Sequence, residues 1–493
     1  MIKTNLAYQG VITLGMLGLP ATTCTQTVKS KPNIIYILAD DLGYGDVGCY
    51  GQKYIKTPNI DRLATEGLLF TQHYAGAPVS APTRCCLMTG KHLGHAYIRN
   101  NREIKDSSDF KAGQTPLPEN TFTIARMLQN AGYTTALIGK WGLGSIESNG
   151  APNKQGFDFF YGYSDQAHAH NHYPLFLWRN EKQEFLQGNV SSAHPKIDKS
   201  EIVPEMEYKK YQGEHYSLDL MAGEALNFVE KNKDNPFFLY LAFTIPHRAL
   251  QVPEESVESY ENIFNETLYD GKRGYTPHPK PKAAYAGMIT RMDQKIGELM
   301  DKLKVLGLDH NTIVMFSSDN GHTGTGGADV NFFNSSGGLR GAKGTLYEGG
   351  IKVPFIVRWT GKILPNKTTN HISAQYDLML TLAELTGQKI EDTDGVSFLP
   401  TLLGNTDKQK KHDYLYWEFS NGGGQYAIRM GDLKGVRMNV KDNNESHWEI
   451  YNVTTDPSES KNIAENHPRL IQKFNQITKK RTPSVFPEWN FEK

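Results

Sequence analysis

The sequence predicts an α/β fold: a large, doubly wound, mostly parallel sheet domain flanked by helices, then a smaller C-terminal antiparallel sheet with a helix. Three observations predict it. Near-continuous apolar runs recur along the chain, as in strands buried on both faces. Amphipathic helical patterns lie between those runs, the alternation that builds a parallel sheet. Beyond residue 412 the runs give way to short alternating segments, as in an antiparallel sheet.

The elements follow in order. Lys3, an apolar stretch from Val11 to Leu19 and small residues up to Cys24 read as a secretory signal peptide over residues 1–24, too short to span a bilayer. Cleavage before Cys24 would give a lipid anchor there. The main α/β domain is expected over residues 31–408. Its first strand is Asn33–Ala39, which ends in Asp40-Asp41. A helical pattern over Asn59–Glu66 precedes the stretch at Ser80, and another over Thr121–Ala131 precedes a strand at Thr134–Ile138, which ends at Lys140. Residues 145–215, rich in His, Tyr, Asn and Gly, read as loops and a subdomain over the site. The helix Asp219–Lys231 leads to the strand Phe237–Phe243, near His247. Residues 252–282 read as an irregular excursion. The long helix Ala283–Leu306 leads to the strand Thr312–Phe316, which ends at Asp319-Asn320, and Val353–Val357 is a fifth run. The C-terminal subdomain, residues 412–493, carries segments at Tyr414–Phe419, Tyr426–Met430, Lys434–Met438 and His447–Tyr451, then a closing helix at Pro468–Lys480. Polar residues repeatedly follow the strands' carboxyl ends, the edge at which open α/β sheets bind ligands.

Composition narrows the function. The 493 residues are 38% hydrophobic and 22% charged, ordinary for a globular protein. Lys+Arg and Asp+Glu both number 53, so no global field favours nucleic acid, and attraction for an anionic substrate must be local. Four cysteines make no disulfide scaffold, and no C-x-x-C pair suggests structural zinc. Outside the leader, no apolar run is long enough to span a membrane.

The stretch Ser80–Lys91 reads S-A-P-T-R-C-C-L-M-T-G-K. Pro82 fixes the backbone, and Arg84 follows Ser80 by one helical turn, so both can face one way. A fixed cation beside an oxygen nucleophile suits attack on an anionic centre. Asp40-Asp41 and Asp319-Asn320, each at a strand end, offer hard oxygen ligands that suit Ca²⁺ or Mg²⁺ better than zinc. Taken singly, these motifs also fit a turn opening a helix, a helix cap, or a solvated loop. For substrate contact, the cluster Asp165–Tyr173 offers His168 and His170 for polar recognition of a sugar, with a metal site or plain loop structure as alternatives. The segment His95–Asn101 offers Arg99, and Trp417-Glu418-Phe419 is placed to close one side of the pocket.

The Ser80–Lys91 pattern resembles the signature of the type I sulfatases in the alkaline phosphatase superfamily. The resemblance covers about residues 32–465, including Trp448–Asn452 and Asp456–Glu459. It implies that Ser80 is oxidised to formylglycine (3-oxoalanine), the serine-type variant, by a dedicated maturation enzyme. It implies one calcium ion held by Asp40, Asp41, Ser80, Asp319 and Asn320. It makes Arg84, Lys140 and Lys343 the residues that hold sulfate and developing charge, and His247 the proton donor to the leaving oxygen. The sequence departs from the family in Gly139–Gly144: the stretch commonly reads G-K-W-H-L-G, and Gly142 stands where the His helps deprotonate the formylglycine diol. His322 is the nearby candidate for that task. The resemblance thus implies a periplasmic or lipid-anchored sulfatase acting on a sulfated sugar of a glycosaminoglycan, mucin O-glycan or other glycan, with galactose or N-acetylgalactosamine sulfate among the candidates. A phosphatase or phosphodiesterase using unmodified Ser80, and a sulfated-glycan-binding protein without turnover, are the competing readings.

Overall fold

The structure is a computed structural model; it describes residues 1–2, 31–104, 113–190, 192–195, 197, 205–442 and 446–491. The leader and Cys24 lie outside the described residues. The main sheet has ten strands. In chain order they are β1 (Asn33–Ala39), β2 (Leu68–Phe70), β3 (Thr134–Lys140), β4 (Phe159–Tyr163), β5 (Phe176–Arg179), β6 (Lys182–Phe185), β7 (Phe237–Ala242), β8 (Thr312–Ser318), β9 (Phe355–Trp359) and β10 (Lys367–Thr369). Their order across the sheet is β10-β2-β9-β8-β1-β7-β3-β4-β5-β6. The central five, β8-β1-β7-β3-β4, are parallel. β9 runs antiparallel to β8, and β5 and β6 antiparallel to their neighbours.

Every residue of β1 is buried. Its side chains alternate between two cores, as the pleat requires. Ile34, Tyr36 and Leu38 enter one core; Ile35, Ile37 and Ala39 enter the other. Among the described residues, the longer helices are α1 (Pro58–Thr65), α2 (Ser80–Thr89), α3 (Ile124–Asn130), α4 (Ser217–Lys231), α5 (Pro281–Val305), α6 (Asp377–Thr386) and, with the C-terminal sheet, α7 (Pro468–Thr478). Helices α2, α3 and α6 cover one face; α1, α4 and α5 cover the other. Each expected helix forms within a few residues of its expected bounds. Among the described residues, no helix is long and apolar enough to cross a membrane.

The expectation of loops over residues 145–215 needs correction. Part of that segment extends the sheet: β4 pairs with β3 through Ala136–Lys140, and β5 and β6 close the edge. β6 has mostly exposed residues, so it lacks the apolar run that marks a central strand.

The C-terminal antiparallel sheet comprises β11 (Leu415–Phe419), β12 (Gln425–Met430), β13 (Leu433–Arg437) and β14 (Trp448–Asn452), in sequential order. It shares a small core with α7, in which Tyr426, Ile428 and Trp448 pack with Phe474 and Ile477. Its other face joins the main domain, where Trp417 Nε1 donates to the Ala75 carbonyl at 2.9 Å.

Candidate active site

The four central strand ends stand side by side. Register pairs Leu38 with Ala242 and Ala39 with Ser318. The residues that follow, Asp40-Asp41, His247 and Asp319-Asn320, therefore emerge at one sheet edge, with Lys140 ending β3 beside them. Asp41 turns the chain there in the left-handed region, at φ +65°. A short polar side chain tolerates that conformation better than a bulky one. Its N–H is met by Asp319 Oδ1 at 3.1 Å.

Ser80 opens α2, a helix buried over almost its whole circumference. Val79 cannot cap it, so Asn101 reaches across and its Oδ1 accepts from the Ala81 N–H at 2.9 Å. The helical turn predicted from Ser80 to Arg84 brings both to the Asp40 carboxylate. Ser80 Oγ lies 3.3 Å from Asp40 Oδ1. Arg84 Nη2 lies 3.3 Å from Asp40 and 3.1 Å from Asp319, and Nη1 donates to the Lys140 carbonyl at 2.6 Å.

Two lysines complete the positive set. Lys140 Nζ donates to Asp40 Oδ2 at 2.5 Å. Lys343 Nζ meets Asp41 at 2.7 Å. Lys343 is also the open side of the cluster, with 18% of its side chain exposed against 1% for Lys140 and none for Arg84. Its loop is braced from both ends. Gly321 packs so closely on residues 349–350 that an added Cβ would stand 1.8 Å from the Gly349 carbonyl oxygen. Gln425 of the C-terminal sheet accepts from the Leu346 N–H at 3.1 Å and donates to the Gly344 carbonyl at 3.0 Å.

His247 Nδ1 lies 2.6 Å from the Arg248 carbonyl, so Nδ1 carries the proton and Nε2 faces the cluster, 3.6 Å from Asp41 Oδ2. Burial, then Lys343, hold its pKa well below the ordinary histidine value. Burial also opposes ionisation of Asp40, but Lys140, His247 and Arg84 outweigh it and keep this carboxyl charged. Asp319 goes the other way, pushed up to about 6 by burial and by Asp40. Burial pulls Lys140 down despite Asp40.

The donor set fits a hard divalent cation. Asp40, Asp41 and Asp319 are buried side by side, and Asn320 Oδ1 is a buried acceptor with no hydrogen-bond partner among the described residues. Asn320 Nδ2 donates to Asp41 Oδ1 at 2.8 Å, which holds the amide against that carboxylate. Crowded carboxylates with an idle amide oxygen are a calcium- or magnesium-type environment.

The cluster Asp165–Tyr173 divides. His170 reaches the site: its ring stacks on His247 at 4.4 Å, and its Nδ1 lies 2.8 Å from His194 Nε2. His168 packs instead between Tyr163 and Phe176, and burial lowers its pKa to about 4. His172 lies behind the site, its Nε2 donating to the His247 carbonyl at 2.8 Å. These three rings share no centre. His322 lies beside the site: its carbonyl accepts from the Lys343 N–H at 2.9 Å, and its buried Nδ1 has no partner among the described residues. Burial, then Arg248, lower its pKa to about 4.

Arg99 is misplaced as a substrate contact. Its guanidinium is buried and donates to Glu418 at 2.9 Å, to the Thr482 carbonyl at 2.7 Å and to the Ala96 carbonyl at 2.9 Å. Trp417 and Glu418 are likewise core rather than pocket wall. Residues that the sequence did not single out include Arg248, which donates to the Thr325 carbonyl at 3.0 Å and steadies the turn at His247, and His194 and Tyr275, whose tilted rings pack 4.6 Å apart beside His170. Only their position in the fold distinguishes them.

Residues 32–388 match the Sulfatase family, and residues 342–482 match the family described as N-sulphoglucosamine sulphohydrolase, C-terminal. The chain belongs to the sulfatase family. It is a type I sulfatase of the alkaline phosphatase superfamily, as the Ser80–Lys91 resemblance implied. The sulfatase is 31% identical to an N-acetylgalactosamine-6-O-sulfatase of Bacteroides thetaiotaomicron, over 92% of this chain and 95% of that one. It is 27% identical to the N-acetylgalactosamine-6-sulfatase of Mus musculus, over 94% and 81% of the two chains. The crystal structure of Ps i-CgsB in complex with k-i-k-neocarrahexaose superposes with a TM-score of 0.73 at 28% identity, covering 94% of this chain and 95% of that one.

Proposed function

We propose that this sulfatase hydrolyses the sulfate ester of a sulfated sugar in a glycan, with an N-acetylgalactosamine-type sugar as the leading substrate class. The observation that carries the reading is the meeting of Ser80, Arg84, Lys140 and Lys343 with three carboxylates at one sheet edge. The names of the relatives support the sugar class. The reading includes conversion of Ser80 to formylglycine by a serine-type maturation enzyme, and a location outside the cytoplasm, periplasmic or anchored at Cys24.

Calcium bound by Asp40, Asp41, Ser80, Asp319 and Asn320 would neutralise charge, and the hydrated aldehyde would supply the attacking oxygen. The chain's own residues do the rest. Arg84 fixes Asp40 and Asp319 and presents positive potential to the reacting centre. Lys140 and Lys343 hold sulfuryl oxygens, and their fixed charges meet the charge that develops in the transition state. His247 donates a proton through Nε2 to the departing sugar oxygen, once the incoming anion has favoured its protonated ring. His322 takes the diol proton as sulfate leaves, the task that Gly142 cannot perform. His170 lines the sugar side. The test is sulfate release, read by ion chromatography, from monosulfated galactose, N-acetylgalactosamine and glucosamine. Release from an N-acetylgalactosamine sulfate supports the reading. Phosphate release from phosphate esters without sulfate release, or binding without turnover, refutes it.

A further inference from the structure

A buried amide nitrogen stands against Gly142, just past the end of β3, without a hydrogen-bond partner among the described residues. Gln166 is only 5% exposed, and its Nε2 has no hydrogen-bond partner among the described residues. The same atom lies 1.9 Å from where a Cβ on Gly142 would stand. Gly142 has φ +76°, so the backbone also disfavours a side chain there. The chain thus keeps position 142 bare and fills the space with an amide from the neighbouring loop.

Two observations put that amide on the reacting side. Lys140 ends β3 within the charged cluster, and Gly142 stands two residues beyond that end, so the amide that meets position 142 lies next to it. Trp141, between them, turns into the core, where its Nε1 donates to the Gly150 carbonyl at 2.7 Å. The loop is also zipped to the end of β3: the Trp141 N–H donates to the Tyr163 carbonyl at 2.8 Å and the Gly142 N–H to the Ser164 carbonyl at 3.1 Å. Gln166 follows two residues later and is held against β3's end.

We infer that Gln166 is a further substrate-contacting residue, whose Nε2 donates a hydrogen bond to a sulfuryl oxygen alongside Lys140. This rests on the proposed sulfatase site. A carboxamide is neither acid nor base near neutral pH, so its part is to bind and orient the anion, and proton transfer falls to other groups. A buried donor left unmet is costly, and a bound oxyanion meets it with a charge-assisted bond.

The experiment compares the matured wild type with Gln166→Leu, which keeps bulk and removes the donor, and Gln166→Glu, which puts an anion in its place. Binding of inorganic sulfate is measured by calorimetry, kcat and KM on a sugar sulfate by sulfate release, and Tm alongside. Gln166→Leu is expected to weaken sulfate binding and lower kcat/KM by roughly tenfold or more, with Tm little changed. Gln166→Glu is expected to lose more of both. Sulfate binding unchanged in either folded variant overturns the inference, and so does a lowered Tm with unchanged sulfate binding, which marks a purely structural role. A wild type that binds sulfate but releases none refutes the proposed function instead, and the binding comparison still decides the role of Gln166.

Discussion

Lys140 Nζ and Asp40 Oδ2 meet at 2.5 Å, with 1% and none of their side chains exposed. An ion pair this deep balances a large desolvation cost, and removal of one partner leaves an uncompensated charge. Lys140→Ala should therefore destabilise the protein by about 3–5 kcal/mol in the presence of a chelator. Added calcium should recover part of that loss, because a cation among Asp40, Asp41 and Asp319 would take over the neutralisation. Thermal melts with EDTA and with calcium check this; an equal loss under both conditions would contradict the proposed metal site.

His247 serves the leaving group in this account. His247→Ala should slow hydrolysis of a sugar sulfate by roughly 10²–10⁴-fold. Aryl sulfates with acidic phenols leave without such help and should lose far less. Parallel kinetics on the two substrates decide the point, and an equal loss on both would assign His247 to binding.

His322 is assigned to the step after the leaving group departs. His322→Ala should lower steady-state kcat while the first turnover still releases phenol rapidly from an aryl sulfate. Stopped-flow burst kinetics read this directly. Unchanged steady-state turnover would remove His322 from the mechanism.

The joint between the C-terminal sheet and the main domain is a buried charge cluster. Lys434 Nζ lies 3.0 Å from both Glu348 and Glu459, all three buried. Burial alone would raise the Glu348 pKa, but Lys434, then Lys352 and Arg429, bring it down to about 2. A depressed carboxyl contributes stability that is present above its unfolded pKa of about 4.3 and is lost as pH falls toward its folded value. Glu459 is shifted the opposite way, upward, by burial. Lys434→Met strands both carboxylates, so it should cost about 3–5 kcal/mol near neutral pH. The gap from wild type should narrow as pH drops from 5 toward 3, where both groups can protonate. Chemical denaturation across that range checks it; a pH-independent gap would contradict the ion-pair account.

The central strands were legible because β1, β3, β7 and β8 are buried on both faces and so read as unbroken apolar runs. Their polar successors, Asp40-Asp41, Lys140, His247 and Asp319-Asn320, were legible for the same reason: a charge placed directly after such a run has only the sheet edge to occupy. The edge strands were not. β2 is three residues long, and β6 carries Lys182, Gln183 and Phe185 toward solvent. His168 and His170 were read together for substrate contact, yet His168–His170 forms a 3₁₀ turn, where residues two apart point in different directions. Arg99 looked like an anion contact because its partner Glu418 lies 319 positions away. Gln166 lies inside the Asp165–Tyr173 cluster, but there the histidines drew the reading; its place against Gly142 shows only in the fold.

The most direct test of the central claim is sulfate release by Ser80→Ala beside the matured wild type, with mass spectrometry of the Ser80 peptide and a melt of each protein. The account predicts an aldehyde at position 80 in the active wild type, and in the variant no sulfate release above background with the fold retained. Near-normal turnover by Ser80→Ala, or full activity from a wild type whose Ser80 is unmodified, would contradict it.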